Sequence, residues 1–225
     1  FPIGVGLALV IGVITNYDPA ASGNATILFA GVACVVLAII LDAIAYRKLS
    51  PESKTTAKGI IISIAAGVLM GFFYRFVAGA MGTLSDEKVL EAGKLSPYTA
   101  IVLFSLGLFV SNFLWNSIVM IKPFTGQPVP FSDYFTKGSA RLHLIGMLGG
   151  AIWCVGMSFS IIASGAAGFA ISYGLGQGAT MIGAFWGVFV WKEFRGAPKG
   201  TNTLLGIMFV SYLVGLALII AAKLV

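Results

Sequence analysis

Apolar residues fall along this chain in seven blocks, at about 1–16, 26–46, 59–81, 98–121, 142–164, 168–191 and 203–224. Most blocks are about 20 residues long, the length an α-helix needs to cross the hydrocarbon core of a bilayer. The breaks carry turn chemistry: Asp18-Pro19, Ser22-Gly23-Asn24, Ser50-Pro51, Ser96-Pro97 and Pro198-Lys199-Gly200. Between the fifth and sixth blocks only Ser164-Gly165-Ala166-Ala167-Gly168 is available, which predicts a tight antiparallel helix pair. The pattern predicts an all-α fold, a polytopic transmembrane helix bundle of about seven spans.

Composition supports this reading. The chain is 58% hydrophobic and 10% charged, whereas a soluble domain carries about 25% charged residues. So few charges cannot cover a soluble surface, and the helices must face lipid. The net charge of +6 does not mark a nucleic-acid binder, because Lys and Arg sit in short loops instead of along one solvated face. Stretch 47–58 holds Arg47, Lys48, Lys54 and Lys58; stretch 122–141 holds Lys122, Lys137 and Arg141; stretch 192–202 holds Lys192, Arg195 and Lys199. The alternate links hold Asp18, or Asp86, Glu87 and Glu91 against Lys88 and Lys94. The positive-inside rule then makes the three basic loops cytoplasmic and the C-terminus external, with Lys223 the one cation against the series.

This alternation has an architectural consequence. The second block runs from outside to inside and the last from inside to outside. Residues 1–46 and 171–222 each read as helix, short polar link, helix, with Gly4-Val5-Gly6 aligned to Gly176-Gln177-Gly178 and Gly31…Ala38 to Gly206…Leu213. Two such halves of opposite orientation are an inverted repeat, the architecture of many secondary transporters. The chain opens Phe1-Pro2-Ile3-Gly4, without an initiator Met or a charged n-region, so it reads as a piece beginning inside a helix and not as a signal peptide.

Polar groups inside a span are costly and need an account. Asn112 and Asn116 are spaced i,i+4 with Trp115 beside them, so two amides and an indole share one helix region. They suit a solute rich in amide or hydroxyl groups, or they bond neighbouring helices. Tyr173, Gln177 and Thr180 form a second stripe, next to a small-residue seam of Gly174 and Gly178. The stripe lines a cavity, or Tyr173 marks an interface and Gln177 bonds across helices. Trp153, flanked by Gly149, Gly150 and Gly156, could stack on a planar ring or simply pack. Three titratable or charged residues are candidates for coupling or gating. Asp42 is a proton acceptor or the partner of interfacial cations; Arg75 snorkels or holds a carbonyl or carboxylate; His143 is a solvated interface residue or a coupling group. Glu193, in Trp191-Lys192-Glu193, reads as structural. Cys34 and Cys154 lie in apolar blocks as packing residues, and a single His offers no metal-ligand spacing, so neither metal nor cofactor is expected.

The last third carries a pattern of its own. Ile171-Ser172-Tyr173-Gly174-Leu175-Gly176-Gln177-Gly178 is followed by Trp186-Gly187-Val188-Phe189-Val190-Trp191-Lys192-Glu193-Phe194, then Leu205-Gly206…Gly215. This resembles the end of a repeat in the drug/metabolite transporter superfamily. Phe1–Ala8, His143–Trp153 and Tyr173–Gly178 look most like the ureide permease group and its bacterial relatives, with sugar and rhamnose porters next. The resemblance implies ten spans in two five-helix repeats, of which this chain lacks the first three. Residues 1–46 would be the last two helices of repeat one, 47–58 a basic cytoplasmic linker and 59–225 a complete repeat two. It implies proton-coupled movement of a small polar solute in a bacterial cytoplasmic membrane. The external C-terminus departs from the inside assignment usual in ten-helix members.

Other functions fit less well. A retinal protein needs a Lys in the middle of its last helix, and here Lys223 stands at its end. Short loops and glycine-rich helices disfavour a seven-helix receptor, and scattered carboxylates do not make an enzyme site. Promiscuous efflux of cations favours an aromatic cavity with an acidic residue. The Asn, Gln, Tyr and Trp set instead predicts uptake of a neutral ureide, nucleobase or sugar, with protons and the lipid bilayer as the other partners and no nucleic acid.

Overall fold

The computed structural model describes residues 2–50, 56–82 and 90–225. Their helices are α1 (Pro2–Asn16), α2 (Ala25–Leu49), α3 (Ala57–Ala80), α4 (Pro97–Ile121), α5 (Ser132–Thr136), α6 (Ala140–Ala167), α7 (Phe169–Gly176), α8 (Gly178–Phe185) and α9 (Thr201–Leu224), with a π-helical turn at Trp186–Val190. No strand forms among the described residues beyond an isolated bridge between Met81 and Leu95. Among them, α2, α3, α4, α6 and α9 are long and apolar enough to cross a membrane, and α1 is a shorter apolar helix. The chain is an all-α integral membrane protein. Lys54, Asp86, Glu87 and Lys88, used above as orientation markers, lie outside the described residues.

The turn residues act as helix caps. Asn24 accepts from the N–H of Ile27 at 3.2 Å to start α2, and Ser96 accepts from Thr99 at 3.2 Å to start α4, with Pro97 at the first helical position. Two features depart from the sequence reading. The sixth block is not one helix: α7 stops at Gly176, Gln177 forms a turn, and α8 passes into the π-helical turn. Gly176-Gln177-Gly178 supplies two weak helix formers in three residues, so the break has a local cause. The link between the fifth and sixth blocks shrinks to Gly168, at φ 87°, a left-handed conformation that glycine tolerates.

The chain divides into two compact units, Phe1–Gly79 with Ala163–Val225, and Ala80–Ile162. In the first, α2 and α9 lie antiparallel. Asn24 donates its N–H to Ala222 O at 2.8 Å at one end, and the rings of Tyr46 and Phe194 meet edge-on at 4.9 Å at the other. Between those ends the backbones cross at Gly31 and Gly215. A Cβ on Gly31 would stand 2.8 Å from Gly215 O, and one on Gly215 2.8 Å from Gly31 O. Without a hydrophobic drive inside lipid, such small-residue contacts are what let membrane helices gain packing energy. Helix α1 packs on α7, where Gly12 leaves room for the ring of Tyr173. It also meets α3, where Gly4 N–H donates to Ser63 Oγ at 3.1 Å.

In the second unit, Leu95 N–H donates to Ala80 O at 2.9 Å. Phe104 of α4 and Trp153 of α6 lie 6.3 Å apart, tying those helices together. Loop 122–141 contains α5, where Lys137 pairs with Asp133 at 2.6 Å.

Candidate functional site

The residues predicted to bind solute fall in both units. Asn112, Trp115, Asn116 and Trp153 belong to the Ala80–Ile162 unit; Tyr173, Gln177 and Thr180 belong to the other. Within the second unit, the i,i+4 amides do meet: Asn116 Nδ2 donates to Asn112 Oδ1 at 2.5 Å. That bond consumes one donor and one acceptor. Asn112 Nδ2 and Asn116 Oδ1 keep no partner among the described residues, so the pair presents a donor and an acceptor side by side. Both are exposed, as is Trp115. Trp153 stacks loosely on Phe104 and keeps nearly half its surface open.

The Tyr173–Gln177–Thr180 stripe is used unevenly. Tyr173 is buried, with its hydroxyl placed to donate to Ala8 O at 3.1 Å or Met70 O at 3.2 Å. Its ring lies 5.3 Å from that of Tyr74. The hydroxyl therefore ties α7 to α1 and α3. Thr180 Oγ1 donates to Gln177 O at 2.6 Å and lies 2.9 Å from Tyr212 Oη on α9. Gln177 differs from both: its amide side chain, at the turn between α7 and α8, makes no hydrogen bond with a described residue. The Gly174 and Gly178 seam faces α9, where Cβ atoms would meet Ile219 and Leu216.

The coupling candidates also separate. Asp42 was open to pairing with interfacial cations; among the described residues it forms no ion pair, and its Oδ1 is buried without a hydrogen-bond partner. Arg47 and Lys48 lie beyond it, in the last turn of α2, where they are exposed. Arg75 is exposed on α3. His143 opens α6 with its ring 4.5 Å from that of Tyr134, on an open cavity of about 770 Å³ lined also by Met120, Asp133 and Leu142. Glu193, read as structural, accepts a 2.7 Å hydrogen bond from Tyr46 Oη.

Sequence reasoning passed over Tyr46, Tyr212 and Asn16. A signal existed for Tyr212, a phenol near the middle of an apolar span. None pointed to Asn16, whose Nδ2 donates to Gly12 O at 2.7 Å while its buried Oδ1 is unpartnered.

The ureide permease family model matches residues 45–222. The chain belongs to the ureide permease family. Every predicted site residue except Asp42 lies inside the matched range. Ureide permease 1 of Arabidopsis thaliana is 27% identical over 189 residues, covering 83% of this chain and 47% of that protein. Ureide permeases 4 and 5 of the same plant are 26% and 27% identical over 182 and 179 residues, covering 79% and 78% of this chain and 44% and 42% of theirs. The chain spans about half the length of the curated relatives it matches. No solved structure matches it. The matched family and the relatives named here are permeases by description.

Proposed function

We propose that this chain is the later part of a secondary active transporter that moves a small, neutral, hydrogen-bonding solute, coupled to protons. A ureide is the first choice, and a nucleobase or sugar the next. The observation that carries the reading is the amide pair of Asn112 and Asn116 within a chain of the ureide permease family. A ureide carries N–H donors beside carbonyl acceptors, and the pair offers one unspent acceptor and one unspent donor to match them. Gln177 offers the same chemistry at a helix break, where transporter sites commonly form. Trp115 and Trp153 supply apolar faces for a planar group. Asp42, Arg75 and His143 are the candidates for coupling or gating.

The wider architecture we infer is the inverted repeat of the drug/metabolite transporter superfamily, with basic loops cytoplasmic. The antiparallel pairing of α2 with α9 supports it, because equivalent helices of inverted halves run oppositely. The test is uptake of labelled allantoin, uracil and rhamnose by liposomes carrying the full-length protein, with and without a proton gradient. Accumulation of one of these, reduced in Asn112→Ala and Gln177→Ala, is the expected result. No accumulation of any, or accumulation unchanged in both variants, overturns the reading.

A further inference from the structure

Asp42 stands out within the first unit. It sits in α2, one helical turn before Tyr46, so both side chains leave the same face. Its Oδ1 is shielded and meets no donor. Asp42 as a whole is half-buried, but a carboxylate oxygen shielded from water with no donor is costly while charged, and neutralising the group lowers that cost. Tyr46 lies on its own helix, Tyr212 on α9, and Glu193 on the link between the π-helical turn and α9; all three are within electrostatic range of Asp42. Lys192 and Arg195 occupy the same link and form no ion pair with it. Helices α1 and α8 and the π-helical turn carry no titratable residue.

Two hydrogen-bonded pairs flank Asp42. Toward the basic-loop end, Tyr46 Oη donates to Glu193 Oε2 at 2.7 Å, and the carboxylate is exposed. Gly187 of the π-helical turn is moulded around this pair: a Cβ there would stand 2.9 Å from both Tyr46 Oη and Glu193 Oε2. Toward the interior, Tyr212 Oη lies 2.9 Å from Thr180 Oγ1, which bonds the carbonyl of Gln177 at the helix break. Asp42 is thus within electrostatic range of both pairs, one ending at the exposed Glu193 and the other reaching the Gln177 turn, with no hydrogen bond from either pair to its Oδ1.

We infer that Asp42 is the group that takes up and releases the coupled proton, with Tyr46–Glu193 and Thr180–Tyr212 as the positioning pairs that connect it to the basic-loop side and to the Gln177 turn. In this step a proton adds to the Asp42 carboxylate and makes a neutral acid, and its return leaves the carboxylate; no other bond changes. Glu193 is exposed and already accepts a hydrogen bond from Tyr46, so it lacks the shielded, unpartnered oxygen that singles out Asp42. Arg75 is a permanent cation and cannot exchange one.

The inference rests on the proton-coupled reading above, and the experiment separates the two. In liposomes carrying the full-length protein, counterflow exchange of labelled solute needs no proton gradient, whereas accumulation does. For one coupled proton, each unit of pH difference supports about tenfold accumulation. Asp42→Asn is expected to keep counterflow and lose that accumulation, while Asp42→Glu retains both. Asp42→Asn that still accumulates solute as the wild type does overturns the inference and leaves the transport reading standing. A wild type that exchanges none of the solutes overturns the transport reading itself. A readout independent of solute is the infrared carboxyl stretch of the purified protein followed across pH. A titrating buried-carboxyl band that Asp42→Asn removes and Asp42→Glu shifts supports the inference. Absence of such a band, or a band unaffected by both variants, overturns it.

Discussion

The contact between α2 and α9 makes a quantitative demand on one glycine. Gly215→Ala places a methyl group 2.7 Å from Val35 Cγ2, 2.8 Å from Gly31 O and 3.0 Å from the N of Val35. Two of these three atoms are backbone, which no rotamer change can move, so the helices must part. Opening such a contact by half an ångström to one ångström forfeits about a quarter to a half of each local dispersion well. Overpacking of this kind costs about 1–3 kcal/mol. Against it runs the helix propensity of Ala over Gly, worth about 1 kcal/mol. Gly206→Ala separates the two effects. Gly206 lies in the same helix, and a Cβ there meets nothing within 4 Å. Propensity cancels between the variants, and what remains is the steric overlap, a difference of about 5–150-fold in the unfolding equilibrium. The assay is reversible denaturant unfolding of the purified full-length protein in detergent micelles, followed by helical circular dichroism. Gly215→Ala is expected to be the less stable, and Gly206→Ala as stable as the wild type or more so. If the two lie within about 0.5 kcal/mol, the close crossing at Gly31 and Gly215 is wrong, since that is the scatter of surface changes touching nothing.

Two further outcomes follow from other contacts. Tyr173→Phe removes the hydroxyl shared by Ala8 O and Met70 O and should lower stability in the same assay by about 1 kcal/mol; Gly12→Ala should cost more, because its methyl overlaps the Tyr173 ring. For uptake, Asn112→Ala and Asn116→Ala should each raise KM by about 2–12-fold, the worth of one neutral hydrogen bond. The double variant should fall short of the product, because the first substitution already breaks the bond between the two amides.

How much of this was legible follows from the range of each interaction. Apart from the sixth, the apolar blocks matched the helices closely, as at 98–121 against Pro97–Ile121, because satisfying the backbone in lipid imposes a signal some twenty residues long. The i,i+4 rule brought Asn112 to Asn116 because helix geometry alone sets that contact. Shorter devices were lost: α5 is five residues, and the π-helical turn has no compositional mark. Long-range partners were lost altogether. Tyr173 and Thr180 share a stripe with Gln177, yet which of the three stays uncommitted depends on Ala8, Met70 and Tyr212, which helix packing alone brings to them.

That last distinction gives the polar residues of the spans a physical ranking. In lipid there is no water to satisfy a leftover donor or acceptor, so a group spent on another helix has its account in the fold. Tyr173 and Thr180 are spent in this way, and so is Ser63 of α3, whose Oγ accepts from Gly4 N–H of α1. The Asn112–Asn116 pair is half spent, Gln177 is unspent, and Asp42 Oδ1 is both unspent and shielded. Asn16 Oδ1 shares that last condition, but a neutral amide oxygen binds no proton near neutral pH and its Nδ2 is already tied to Gly12. Unspent capacity that is neutral suits a neutral solute, and unspent capacity that titrates suits a proton. Under the proposed function, the amides and Asp42 would divide the work of a coupled transporter by chemistry, the amides for the solute and the carboxyl for the proton.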